Sequence, residues 1–266
     1  MKICISGKGG VGKTTFAGTL ARMLARDGFD VIAIDADPAH NLHSTLGIGE
    51  EEFEGLIPLG EMGDLIEERT GASPDVYGSV FKLNPKVSDL PQKLWIDAPD
   101  GVKFILMGTV KKGGSGCVCP SNVMLKTFLK HVLSGKHDVI VDMEAGVEHL
   151  GRGTAKYTDA LIAVTEATPN SIEIAHKIMN LAEDIGLKET YVIGNKVDGD
   201  DEERFINKSF DNILGIIPFD HRVRGAEMNG KALIDFPTSK ALKAISKIKN
   251  RLIEERFCEK NKIQGR

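Results

Sequence analysis

Gly7-Lys8-Gly9-Gly10-Val11-Gly12-Lys13-Thr14-Thr15 is the stretch on which the reading of this chain turns. It satisfies the pattern Gly, four residues, Gly-Lys, then Ser or Thr. It also follows an apolar run, Lys2 to Ser6, and opens a helical one, Thr14 to Arg26, the strand–loop–helix setting that the P-loop requires. Glycines let backbone N–H groups close around phosphate oxygens, and the following helix aims its positive end at them. Gly9, Gly10, Val11, Gly12, Lys13, Thr14 and Thr15 are therefore the expected phosphate cradle. Lys13 brings a mobile cation to the terminal phosphates and Thr14 offers its hydroxyl to Mg²⁺, which otherwise keeps water and phosphate ligands.

Outward from this loop, short β-rich runs alternate with helical stretches. Lys2 to Ser6, Val31 to Asp35, Lys103 to Met107, Asp138 to Asp142, Ala160 to Thr165, Tyr191 to Asn195 and Ile213 to Pro218 read as strands, apolar on both faces. Thr14 to Arg26, Asn122 to Leu133 and Ser171 to Ile185 read as helices between them. That alternation predicts an α/β fold, a doubly wound, mainly parallel sheet covered on both sides, with ligands at the carboxyl edge of the strands. Residues 1–266 are expected to form a single domain, with an irregular insertion at about 47–100 carrying a short helix near Met62 to Arg69. Leu242, Ile245, Ile248, Leu252 and Ile253 recur helically within Ser239 to Arg256, and the last ten residues are read as frayed.

The chain has 266 residues, 41% of them hydrophobic and 27% charged, and 34 basic side chains against 38 acidic give a net charge of -4. Such a length buries a full core without disulfides, and the balance provides no global field for nucleic acid. No apolar run suits a signal peptide or a membrane span, so a cytoplasmic protein with no nucleic-acid or membrane partner is expected. Of the four cysteines, Cys4 reads as a core residue and Cys258 as part of a charged tail. Cys117 and Cys119 instead form a Cys-x-Cys pair just before a helix, where the helix field favours thiolate and hence soft or borderline metals.

With its second lysine, Lys8, the P-loop resembles the deviant form of the MinD/ParA class, which includes the nitrogenase iron protein and the arsenite and tail-anchored-protein targeting ATPases. The resemblance implies that Lys8 reaches across a nucleotide-sandwiched homodimer to the partner's phosphates, acting with Lys13 and Asp37 in catalysis. Asp35-Ala36-Asp37-Pro38-Ala39-His40-Asn41-Leu42 resembles switch I, with Asp37 orienting the attacking water and Asp35 near the magnesium-bound waters. Asp142-Met143-Glu144-Ala145-Gly146 resembles the Walker B aspartate leading into switch II, where Asp142 holds Mg²⁺ through water and the Gly146 amide senses the γ-phosphate.

Base choice rests on two segments. Asn195-Lys196-Val197-Asp198 matches the Asn-Lys-x-Asp guanine motif literally, and Asp198 could pair with the guanine N1 and N2 edge. The deviant P-loop favours ATP, as does Ile217-Pro218-Phe219-Asp220, which resembles the segment beside adenine. Asn195, Lys196, Pro218, Phe219 and Asp220 are accordingly candidate nucleotide contacts, with ATP expected and GTP the alternative.

Cys117-Val118-Cys119-Pro120 together with Asp142 to Gly153 is similar to the CooC-type accessory ATPases linked to nickel insertion into carbon monoxide dehydrogenase. This implies an ATP-hydrolysing metallochaperone in which a C2 dimer joins two cysteine pairs into one four-thiolate Ni²⁺ or Zn²⁺ site, with a carbon monoxide dehydrogenase or related nickel enzyme as client. His149, His40 and His43 flank the switches as further candidate ligands, although single histidines more often bond locally. Two other functions fit the same class: a partitioning or positioning ATPase, and an iron–sulfur electron-transfer ATPase.

Overall fold

The computed structural model describes residues 1–74, 76, 78–109, 119–146, 150, 152–187 and 189–264, the side chains of 152 and 256–264 excepted. In chain order the elements are β1 (Lys2–Gly7), α1 (Lys13–Arg26), β2 (Val31–Ala36), α2 (Leu42–Leu46), α3 (Glu50–Phe53), α4 (Gly63–Thr70), α5 (Leu90–Leu94), β3 (Ile96–Asp97), β4 (Lys103–Leu106) and α6 (Cys119–Ser134). There follow β5 (Asp138–Met143), α7 (Arg152–Ala155), β6 (Ala160–Thr165), α8 (Pro169–Asp184), β7 (Thr190–Val197), α9 (Asp200–Ser209), β8 (Ile213–Pro218), α10 (His221–Met228) and α11 (Lys240–Gln264). The eight strands form one sheet in the order β3-β4-β2-β5-β1-β6-β7-β8. All pairings are parallel except β3 with β4 at the edge.

Strand residues alternate between two apolar layers, as the two-residue period of a strand demands. Cys4, Ile32, Ile34, Val139, Val141, Leu161 and Ala163 face the layer that holds α6 and α8. Ile3, Ile5, Val31, Ala33, Ile140, Ile162 and Val164 face the layer that holds α1 and α11. Each fully buried Leu, Ile or Phe contributes roughly 1.5–3 kcal/mol from the area removed from water. A sheet saturated on both faces in this way is the doubly wound architecture that the alternation of runs predicts.

Three features depart from the sequence expectation. The insertion supplies an edge strand, β3, too short for any period to reveal. The stretch after β2 carries two short helices, α2 and α3, beside the one expected near residue 62. The C-terminal helix runs to Gln264, past the Arg256 at which the apolar periodicity stops, because no Gly or Pro interrupts it before Gly265. Among the described residues, no helix is long and apolar enough to cross a membrane.

Topology fixes the place of the site. β1 lies between β5 and β6, so the chain leaving its carboxyl end faces the loops after β2 and β5 on one side and after β6 and β7 on the other. Such a reversal of strand order opens a crevice at the sheet edge.

Candidate functional site

The loop between β1 and α1 depends on glycine at two places. Gly12, at the N-terminal cap of α1, has φ +91°, and a Cβ there would lie 2.3 Å from the Asn195 Nδ2 atom. At Gly7 a Cβ would lie 2.3 Å from the Val164 carbonyl oxygen of the neighbouring strand. Glycine therefore lets the loop lie flush on β6 and β7, with Val11 buried beneath it.

Two consecutive loop carbonyls are held from one side. Asn195 Nδ2 donates to the Val11 carbonyl at 2.7 Å, and Lys196 Nζ donates to the Gly10 carbonyl at 2.6 Å. Neighbouring side chains of a regular strand point to opposite faces, so this pairing needs a local irregularity. The ladder supplies one: Gly194 pairs Ile216 and Val197 pairs Pro218, so β7 spends an extra residue at a bulge, where Lys196 has φ +57°. Glu166, after β6, pairs with the same ammonium at 2.8 Å. These anchors fix two carbonyls of the loop that α1 follows, and with them its backbone orientation.

Across the crevice, Asp35 and Asp142 sit side by side on β2 and β5 in register. Both are fully buried. Asp35 accepts the Asp37 amide at 3.1 Å and the Leu42 amide at 2.9 Å, which ties down both ends of the turn between β2 and α2. Burial nevertheless pushes its pKa up to about 6. Neither carboxylate oxygen of Asp142 has a hydrogen-bond partner among the described residues. Burial, reinforced by the charge of Asp35, pushes its pKa up to about 8, although the Thr14 hydroxyl and Lys13 ammonium nearby pull the other way. A buried carboxylate left without donors, beside a second acid and a P-loop hydroxyl, suits a hard divalent cation.

Lys13 is buried and lies 3.4 Å from Asp37 Oδ2, so the P-loop cation meets the switch I acid directly. Asp37 also accepts the Ala39 amide at 2.9 Å. The amide of Gly146 donates to Ser6 Oγ at 3.0 Å, and the single proton of that hydroxyl has the Glu144 and Gly146 carbonyls as acceptors at 2.8 and 3.0 Å. Sequence reasoning did not single out Ser6 or Glu166. A lone polar residue at the mouth of an apolar strand is a signal for the first, and an acid at a strand's carboxyl end for the second.

A cavity of about 590 Å³ opens beside the P-loop, lined among others by Gly9, Gly10, Gly12, Lys13, Thr14, Thr15 and Asp37 and by Asn195, Lys196, Pro218, Phe219 and Asp220. Phe219 is exposed at its rim, edge-on to His221. Asp220 differs from the expected base contact in how its carboxylate is employed. It caps α10 through the Arg222 amide at 3.0 Å and receives Ser239 Oγ at 2.7 Å and the Lys240 amide at 2.6 Å. Against the desolvation of burial, these donors hold its pKa down to about 2. Asp198 is exposed and does not line the cavity; its amide donates to Glu202 at 2.8 Å. Lys8 is half-buried and does not line the cavity either.

Cys119 is exposed and is the first residue of α6. Cys117 and His149 lie outside the described residues. Among the described residues no group of three or more His, Cys, Asp or Glu could hold a metal ion. His43 donates from Nδ1 to the His40 carbonyl at 2.7 Å and stacks on Phe53, so it is engaged locally.

Comparison with known proteins places these features in context. Residues 2–234 match the model of the CobQ/CobB/MinD/ParA nucleotide binding domain. The chain is 44% identical over 238 residues, 88% of its length and 90% of the relative's, to the carbon monoxide dehydrogenase accessory protein CooC of Rhodospirillum rubrum. It is 43% identical over 260 residues, 96% of its length and 98% of the relative's, to an uncharacterized ATP-binding protein of Methanocaldococcus jannaschii. Its fold matches the septum site-determining protein MinD of Pyrococcus horikoshii, complexed with Mg-ADP, at a TM-score of 0.68 over 94% of this chain and 95% of that one, with 22% identity.

Proposed function

The chain belongs to the CobQ/CobB/MinD/ParA nucleotide-binding family and its P-loop ATPases, and on that premise we propose that it is an ATP-hydrolysing metallochaperone that assists nickel insertion into a carbon monoxide dehydrogenase-type enzyme. The observation that carries the nickel client is the 44% identity, over 88% of the chain, with a carbon monoxide dehydrogenase accessory protein. Cys119, exposed at the start of α6, supports a thiolate contribution to a metal site, with Cys117 as its sequence partner.

In this reading the P-loop amides and Lys13 bind the triphosphate of ATP, and Asn195 and Lys196 keep the loop's carbonyls anchored while they do so. Asp142, Asp35 and Thr14 would hold Mg²⁺, which neutralises phosphate charge when bound. Asp37 orients the water that attacks the γ-phosphorus as ADP leaves, and the Gly146 amide turns from Ser6 to the γ-phosphate. Lys8, which does not line its own cavity, serves the partner's phosphates in a nucleotide-dependent homodimer. That dimer brings two Cys117–Cys119 pairs together as a shared site for Ni²⁺ cargo or Zn²⁺.

Co-production with a carbon monoxide dehydrogenase at limiting nickel tests the role. Nickel content and CO oxidation of the client should rise several-fold with the parent chain and not with Cys117→Ala/Cys119→Ala. Equal nickel loading with and without the parent would refute it.

A further inference from the structure

The turn between β2 and α2 concentrates two local costs on one residue. His40 has φ +52°, a left-handed backbone that non-glycine residues rarely adopt. Its Nδ1 atom is buried and has no hydrogen-bond partner among the described residues. Costs of this kind persist where the surrounding structure over-determines them, and they gather at sites that work.

What surrounds His40 is specific. Its amide closes the turn onto the Asp37 carbonyl at 3.2 Å, and its own carbonyl accepts from His43 Nδ1. Its ring faces Gly108: a Cβ on that glycine would lie 3.2 Å from His40 Cε1 and 2.8 Å from Pro58 Cβ. Gly108 itself has φ +65°, so backbone and space both demand glycine there. The Gly108 and Met107 amides both donate to the Asp35 carbonyl at 2.9 Å, and the Met107 carbonyl accepts the Gly60 amide at 3.0 Å. The ring is thus wedged between the switch I turn and a seat built from the end of β4 and the insertion. It does not line the nucleotide cavity, whereas its neighbours Asp37, Ala39 and Asn41 do.

We propose that His40 is a positioning residue for ATP hydrolysis: its ring, seated on Gly108, holds the turn that presents Asp37 to the attacking water. The inference rests on the role proposed above for Asp37. His40 acts through that carboxylate and not on nucleotide, so its loss lowers turnover and spares binding.

Two variants attack the contact from opposite sides. His40→Asn tolerates the left-handed backbone but withdraws the ring, while Gly108→Ala fills the seat and displaces it. Steady-state hydrolysis, nucleotide affinity and thermal unfolding are measured for the parent, both variants, the double variant and Asp37→Asn. Each single variant should lose tenfold or more in kcat with nucleotide Kd within about twofold of the parent. The double variant should be no slower than the slower single one, because both remove one contact. Parent-like kcat in His40→Asn, a parallel loss of nucleotide affinity, or losses that multiply in the double variant would overturn the proposal. Should Gly108→Ala unfold, His40→Asn and His40→Ala decide the matter by the same split between kcat and Kd. Parent-like turnover by Asp37→Asn would refute the role of Asp37 instead, a separate result.

Discussion

Replacing Asp142 by Asn should make the nucleotide-free protein more stable, by a margin that grows as pH rises from about 4 to about 8. The unfolded carboxyl titrates near its ordinary value of 3.8, whereas burial beside Asp35 raises the folded value to about 8. The folded state therefore holds a proton that the unfolded state releases, and this contribution is fully present below the unfolded pKa and is lost as pH rises through the folded one. Each unit of difference is worth about 1.4 kcal/mol, so between pH 5 and pH 8 the parent should lose on the order of 4 kcal/mol on account of Asp142. Asp142→Asn keeps the size of the neutral acid and cannot ionise. It should match the parent only below about pH 4, and its advantage should grow by about that amount between pH 5 and pH 8, both proteins retaining the smaller loss that Asp35, with its pKa near 6, imposes. Urea unfolding in EDTA without nucleotide, across pH 5 to 8, measures both curves. Parallel curves for parent and variant would show that Asp142 is ionised in the folded protein or reached by water, and would refute its assignment as a buried, donor-free carboxylate. The same variant should lose the magnesium dependence of nucleotide binding.

Lys13→Ala should weaken nucleotide binding by a hundredfold or more in an equilibrium titration, and Asp37→Asn should bind nucleotide yet hydrolyse it at under a tenth of the parent rate. Gly12→Ala meets a left-handed backbone and the Asn195 amide at 2.3 Å; it should cost roughly 1–3 kcal/mol in urea unfolding and abolish binding, and a parent-like affinity would contradict the geometry of the loop. Cys117→Ala and Cys119→Ala should each remove tight Ni²⁺ or Zn²⁺ binding and metal-dependent dimerisation in a titration followed by sedimentation. A stoichiometry of one tight metal per monomer, or undiminished affinity in both variants, would exclude a site shared between two chains.

Much of this architecture is legible in the sequence because parallel strands buried on both faces, such as Val31-Ile32-Ala33-Ile34, have no polar alternation to disguise them. The P-loop is equally legible, since its spacing is fixed by how close a backbone must come to phosphate. Local composition conceals the rest. Asn195 and Lys196 read as base contacts, and only the bulge in β7 turns both toward the P-loop carbonyls. Asp220 reads as a base contact, but the start of α11, some twenty positions on, claims one of its oxygens. Ser6 looks like the end of a strand until Gly146, 140 positions away, is folded onto it. Each of these depends on a partner that no local pattern announces.

The contact between Lys13 and Asp37 makes the empty site its own competitor. A carboxylate tethered beside the ammonium occupies the position that a phosphate must win, so the measured affinity is the intrinsic one reduced by the fraction of molecules in which the lysine is unengaged. Entry of the triphosphate exchanges one anion for another and, in the same movement, releases Asp37 toward water. Neutralising that acid should therefore tighten nucleotide binding while it stops turnover, and in this protein a gain in affinity would be the sign of a disabled switch.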